Sequence, residues 1–335
     1  MSVLEVDEGV SWALAERRAA TLSDVHYRYA LQVPRELATP LSGTVGIEFR
    51  WSDPDAHALV LDFKDPGARV TKLQVNGVSV DWTSRFDHVL LPAAALVPGA
   101  RNHVEVAFVA GDEALNRNEE FLYTLFVPDR AHFSLPLFDQ PNLKARFSLT
   151  LEVPEGWVAL ANGEGLALPG EAGTSVYRFD ETEPIPSYLF AFAVGEFQIE
   201  VAERAGRTLR MFHRETDAEK VARNRDVIFD LHGVALDWLE EYTGITYPFG
   251  KFDFALIPPF QYGGMEHPGA VFYRESGVML EQSATQAQQL GRASLIAHET
   301  AHMWFGDLVT MNWFDDVWTK EVFANFLAAK IVHPS

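Results

Sequence analysis

The sequence contains no cysteine. Disulfides and thiolate metal ligands are therefore excluded, and any metal must be held by histidine and carboxylate. No apolar run reaches membrane-spanning length. Basic residues are the minority: 27 Lys and Arg against 47 Asp and Glu give a formal net charge of −20. That balance argues against a nucleic-acid partner or an anionic membrane, and reads most simply as a well-solvated acidic surface. Met1 to Glu16 has no basic n-region, so the opening segment does not read as a secretory signal. Together with the missing cysteine, this sets the expectation of a cytoplasmic protein. Internal repeats and low-complexity linkers are also absent.

What is present is enough chain for two domains with cores of their own. The first two hundred residues read mostly as short strands: Arg28 to Val33, Gly43 to Phe49, Ala58 to Phe63, His103 to Phe108, Phe147 to Val153 and Tyr188 to Val194. Turn clusters such as Val97-Pro98-Gly99 and Ala161-Asn162-Gly163 separate them, which suggests a β-sandwich or an open β-domain. A short helix, Ser11 to Arg18, precedes the first strand. Character changes near residue 200. Val221, Val227, Ile228, Leu231, Val234, Leu236 and Leu239 place a long helix over Asp217 to Thr243. Strand signals then run from Phe252 to Pro258, with a Gly-Gly turn at 263–264. The expected organisation is α+β and multidomain, with a β-domain over 1–203 and a mixed α/β domain over 204–335.

The most informative segment is His298-Glu299-Thr300-Ala301-His302, followed after eighteen intervening residues by Glu321. On a helix, His298 and His302 are one turn apart and face the same way. Two imidazoles so placed can hold one zinc ion, Glu299 lies close enough to touch a water beside it, and Glu321 offers a third ligand from a second element. Three protein ligands and an open position are the layout of a catalytic rather than a structural site. The alternative is an amphipathic helix with two half-buried histidines. Context favours the metal: a capping box of Ser283 with Gln286 opens a helix, and Leu290, Ala293, Ile296, Ala297, Ala301 and Trp304 follow with helical period. A second helical stretch, about Asp315 to Lys330, carries Glu321. Upstream, Gln261-Tyr262-Gly263-Gly264-Met265-Glu266-His267 pairs glycines, which let backbone pass close to a ligand, with a carboxylate able to face a cation. Taken alone, this segment would be a hairpin turn with an exposed Glu. The remaining histidines, His26, His57, His88, His103, His132, His213 and His232, show no ligand spacing and read as surface or satisfied side chains.

Four segments together resemble the aminopeptidase N family of zinc metallopeptidases, gluzincins with a thermolysin-like catalytic domain. They are Gly263-Gly264-Met265-Glu266 with Tyr273-Arg274-Glu275, His298 to Asp307, Trp318 to Ala324, and, upstream, Phe138-Asp139-Gln140-Pro141-Asn142-Leu143-Lys144-Ala145. The resemblance runs from about residue 20 to the end. It implies an all-β, saddle- or sandwich-like first domain and an incomplete thermolysin-like α/β catalytic domain. It further implies one zinc held by His298, His302 and Glu321, with Glu299 as the general base that takes a proton from the attacking water and returns it to the leaving amine. Glu266 would bind the free α-ammonium of a peptide substrate, and Gly263, Gly264 and Met265 would hold that substrate as an added strand.

Departures from the family pattern shape what is expected. His267 stands where Asn is usual. Val127 stands where many members carry a second acid for the ammonium, so either that anchor is absent or a neighbour such as Asp129, Glu119 or Glu120 replaces it. Ala328 stands where an acid usually supports a ligand histidine, and Asn325 is the nearest polar residue on that helix. The family's catalytic tyrosine falls downstream of the residues present, so the 335-residue chain is expected to bind zinc and to be a weak catalyst by itself. Tyr262 and Tyr273 are the candidates for a stand-in, although Tyr273 reads better as part of a strand beside the cleft. Two rival readings are a related zinc hydrolase, for instance one acting on an epoxide, and a catalytically silent scaffold.

Overall fold

Alternation of apolar and polar residues builds sheet through the first half of the chain, and the helical period takes over in the second. The computed structural model describes residues 6–333 apart from 54, 56, 172 and 205. It comprises two compact units: Met1–Ala159 with Gly165–Val194, and Leu160–Glu164 with Gly195–Ser335. The sequence reading set the division at 203/204. The hairpin of Gln198–Arg204 with Arg207–His213 carries the difference, because its second strand runs parallel to Phe252–Ile257 in the sheet of the second unit.

An eight-stranded sheet dominates the first unit. Its middle is Leu22–Gln32, parallel to Arg146–Pro154 on one side and antiparallel to Ser42–Trp51 on the other, with Arg101–Val109 next. Burial alternates residue by residue along Arg101–Val109 and Arg146–Pro154, so one face makes the core and the other faces outward. Aromatic side chains fill that core: Phe147 stacks between Tyr27 and Phe190, at centroid distances of 4.9 and 4.7 Å. A three-stranded sheet of Leu59–Asp62, His88–Leu91 and Thr83–Arg85 completes the packing with the hairpin Leu115–Arg117 and Phe121–Thr124. The opening helix, Trp12–Thr21, starts where Ser11 accepts a hydrogen bond from the Leu14 amide. The expected strand over Tyr188 to Val194 forms only in part: Ser187–Leu189 is a 3₁₀ turn after Pro186, and the strand is Phe192–Gly195. Proline fixes the extended entry into that turn.

The segment Phe138-Asp139-Gln140 is part of a buried polar network in this unit. Arg18 makes a two-pronged ion pair with Asp62, at 2.5 and 2.8 Å, and His88 Nδ1 lies 2.7 Å from the same carboxylate. The Asp139 amide donates to Asp62, while the Asp139 carboxylate accepts from the Ser187 hydroxyl and contacts His132 Nδ1 at 2.7 Å. These buried charges are held because each has partners on several elements.

The second unit is a five-stranded mixed sheet packed with helices. Its order is Gln198–Arg204, Arg207–His213, Phe252–Ile257, Val271–Arg274, then Gly264–Met265 at the edge. Phe252–Ile257 lies between two parallel neighbours and is buried along its whole length. The long helix Ala218–Thr243 begins at the Asp217 cap and ends at Gly244, whose φ of 68° a residue with a Cβ adopts less readily. It packs on the motif helix, Gln286–His302, which in turn packs on Val317–Val332. Asn224 fixes the first contact: its Oδ1 accepts from Arg292 at 2.7 Å and its Nδ2 donates to the Leu280 carbonyl. Two expectations need correction here. The capping box is Thr285 with Gln288, two residues later than expected, because Gln282 to Gln288 contains the Ser/Thr-x-x-Gln pattern twice. Leu290 lies on the exposed face of the motif helix, not in its apolar stripe. Among the described residues no helix is long and apolar enough to cross a membrane.

Candidate active site

The motif helix brings its two histidines together at its C-terminal turn. His298 Nε2 and His302 Nε2 are 3.0 Å apart, and Glu321 Oε2 from the next helix lies 3.3 Å from the first and 3.7 Å from the second. His302 is buried and its Nδ1 lies 3.0 Å from the Phe305 carbonyl. A carbonyl only accepts, so Nδ1 carries the proton and Nε2 offers its lone pair to the cluster. That bond supplies the ligand support left open by Ala328, which is itself buried, and by Asn325, which is exposed. His298 Nδ1 is buried with no hydrogen-bond partner among the described residues. The three donor atoms fit a metal ion: zinc bonds of about 2.0–2.1 Å in a tetrahedron put ligand atoms about 3.3 Å apart. Histidine nitrogen with carboxylate oxygen is also a donor set suited to zinc.

Glu299 stays beside the histidines, with a carboxylate oxygen and their ring nitrogens within 4.8 Å of one another, and also reaches the sheet edge. It is 4% exposed, and its carboxylate lies against the backbone of Gly264: a Cβ there would meet Glu299 Oε1 at 2.4 Å. Glycine at 264 is what allows this approach. Burial pushes the Glu299 carboxyl up to about 8, with His302 opposing and Glu266 adding to the rise. A cation on the neighbouring ligands draws it back down.

Gly263, Gly264, Met265 and Glu266 are brought to the same place. Gly264 and Met265 pair with Tyr273 and Phe272, and the Gly263 carbonyl accepts from the Arg274 amide. Since Gly264–Met265 is the last strand of its sheet, its outer edge can accept another strand. Glu266 is 3% exposed, and one of its oxygens lies within 4.8 Å of the His302 and Glu321 donor atoms. Lys320, a residue the motif reading passed over, forms a buried ion pair with Glu266 and lies 3.2 Å from Glu321 Oε1. Burial alone raises the Glu266 carboxyl; the Lys320 ammonium beside it, then His302, outweigh that and hold it at about 2.

The fold also fixes two neighbours, and Tyr273 lies in a strand beside the cleft as expected. His267 is fully buried and packs edge-on against Phe272 at 4.8 Å, with the Ala270 backbone acting on its ring. Desolvation pushes it down to about 3, which keeps it neutral. Tyr273 is fully buried, and its hydroxyl lies 3.1 Å from His232 Nε2. His232 Nδ1 donates to the Ile228 carbonyl at 2.8 Å, so Nε2 accepts and the tyrosine proton is committed to it. Tyr273 therefore has no proton to offer an oxyanion.

Comparison with known proteins reads the same segments. The family model for the peptidase M1 N-terminal domain matches residues 108–189, and that for the peptidase family M1 domain matches 228–334. Aminopeptidase N of Streptomyces lividans is 36% identical over 275 residues, 78% of this chain and 31% of that protein. Leucyl aminopeptidase of Saccharolobus solfataricus is 30% identical over 285 residues, 84% of this chain and 36% of that protein.

The chain belongs to peptidase family M1.

It spans about a third of the length of these curated relatives. A third, puromycin-sensitive aminopeptidase of Caenorhabditis elegans, is 38% identical over 217 residues, 63% of this chain and 22% of that protein. The M1 domain match contains His298, Glu299, His302 and Glu321, and the M1 N-terminal match contains Asp139 with its partners His132 and Ser187. M1 peptidases are metallopeptidases, and His298, Glu299 and His302, like Glu266, His302 and Glu321, lie close enough to share an ion.

Proposed function

We propose that the protein is a zinc-dependent aminopeptidase that removes N-terminal residues from peptides. The observation that carries this reading is the closeness of Glu266 to the ligand set: one of its oxygens and the donor atoms of His302 and Glu321 all lie within 4.8 Å of one another. A peptide's α-nitrogen and first carbonyl carbon are only about 2.5 Å apart, from bonds of about 1.5 Å each. A carboxylate that anchors the ammonium so near the metal ligands leaves room for one residue before the scissile bond. The aminopeptidase names of the relatives point the same way.

In this reading His298, His302 and Glu321 hold the zinc. Bound there, zinc supplies Lewis acidity, polarising a carbonyl and making water acidic enough to attack at neutral pH. Glu299 accepts the proton of the attacking water on its carboxylate and returns it to the leaving amine; burial, by raising its basicity, suits it to both steps. The Gly264–Met265 edge pairs with the substrate backbone and fixes its register. Glu266 reads the free ammonium.

Purified protein should carry about one zinc equivalent, and whatever rate it or the full-length enzyme shows on an aminoacyl anilide should fall nearly to zero on the N-acetylated form. His302→Ala should strip the metal, and Glu266→Gln should erase the preference for the free amine. Equal rates on the two substrates would remove Glu266 from this role.

A further inference from the structure

Glu266 already has an ammonium on it. The Lys320 Nζ contacts Glu266 Oε1 and also lies 3.2 Å from Glu321 Oε1, so a single cation bridges the proposed substrate anchor and a proposed metal ligand. Both partners are enclosed, with side-chain exposures of 5% and 4%. The placement is built into the chain. Lys320 occupies the first turn of Val317–Val332 and turns inward while Glu321 stays half-exposed. Gly306, at a φ of 143°, lies beside Lys320 and His302: a Cβ there would meet His302 Nδ1 tightly at 3.2 Å and Lys320 Cδ in ordinary contact at 3.5 Å.

We propose that Lys320 determines specificity at this site as the resident counter-ion of Glu266, which a substrate's α-ammonium must displace in order to bind. This rests on the assignment of Glu266 to the ammonium. The two cations are chemically alike, and one carboxylate in an enclosed site satisfies one of them well. The tethered lysine is always present at high local concentration, so it weakens every free-amine ligand and leaves acylated ones unaffected. A charge-assisted contact is worth about 1.5–3 kcal/mol, so the expected effect is at least about tenfold in affinity.

The test is calorimetric binding of L-leucinamide to the metal-free protein at pH 7, which does not depend on turnover. Lys320→Met keeps the length of the stem and removes the charge; it should bind L-leucinamide about tenfold more tightly than wild type, with N-acetyl-leucinamide unchanged. In the zinc-loaded protein the same variant should lower KM for leucine anilide. Lys320→Arg keeps a cation and pairs with carboxylate by two bonds, so it should bind L-leucinamide less tightly than wild type. Equal or weaker binding by a folded Lys320→Met overturns the proposal. If that variant does not fold, tighter binding by Lys320→Arg overturns it instead. Glu266→Gln separates the two layers: if it abolishes binding while Lys320→Met changes nothing, only the role of Lys320 fails, whereas if it has no effect, the assignment of Glu266 fails.

Discussion

Asp62 in the first unit and Glu299 in the second are both almost fully buried carboxylates, at 0% and 4% exposure, yet their surroundings act on them in opposite directions. For Asp62 burial favours the neutral acid, but Arg18 and His88 outweigh it and hold the carboxyl well below its usual range. For Glu299 burial wins and the carboxyl rises to about 8. The first charge is satisfied from several elements and ties them together. The second is pressed against a glycine and opposed by other carboxylates. Folding gains from the first arrangement and loses by the second, which is the usual sign of a group kept for chemistry.

That contrast gives the largest expected effects. Glu299→Gln should lower turnover by about 10²–10⁴, the range general acid–base catalysis supplies, while keeping the metal. Its denaturation midpoint should stay level or rise, since a disfavoured buried charge is gone. Arg18→Met should do the reverse. Removing one partner of a buried pair costs about 3–5 kcal/mol, visible as a lower midpoint in urea, with turnover of the remaining folded protein unchanged. A destabilised Glu299→Gln beside an indifferent Arg18→Met would break the comparison.

Gly264→Ala tests the same difference more gently. The added Cβ falls 2.4 Å from Glu299 Oε1, so the carboxylate must move by about an ångström. Displacement of that size costs up to about 10² in rate, and metal content should be unchanged. An alanine variant with full turnover would mean that the position of Glu299 is not critical.

The parts of this site that the sequence discloses are those whose geometry is local. His298 and His302 meet because a helix puts residues four apart on one face, and Ser11, Asp217 and Gly244 mark helix ends through short-range hydrogen bonds and backbone freedom. Lys320 was illegible for the opposite reason. It adjoins a ligand in sequence, but its meaning comes from Glu266, fifty-four positions away, and no spacing rule connects them. The proton of Tyr273 was hidden in the same way, behind a contact with His232 across forty-one positions. His88 and His132 read correctly as satisfied histidines, yet only the fold shows that aspartates satisfy them. Where the local signal repeats itself, as in the two overlapping capping patterns before the motif helix, the sequence misplaces an element by two residues.

The smallest effect expected is on the pH dependence of stability, and it returns to the first unit. His132 is raised above its ordinary value: burial opposes the charge, but the Asp139 carboxylate at 2.7 Å, with Asp62 beyond it, prevails. A raised histidine stabilises the fold fully below its unfolded value of about 6.5 and loses that contribution as pH climbs through the folded value. Asp62 has the other sign, stabilising above its unfolded value of about 3.9 and losing its contribution as pH falls further. The contributions of these two groups are together level between about pH 4 and 6.5 and fall on either side, superposed on the decline above about pH 4.5 that the raised Glu299 carboxyl imposes. Urea midpoints measured across this range should show both slopes. His132→Asn, whose amide can still donate to Asp139, should flatten the alkaline slope and leave the acid one intact. With Glu299→Gln as the background, an alkaline slope no smaller in His132→Asn than in its parent would remove the His132–Asp139 pair from the account of how this unit holds its buried charge.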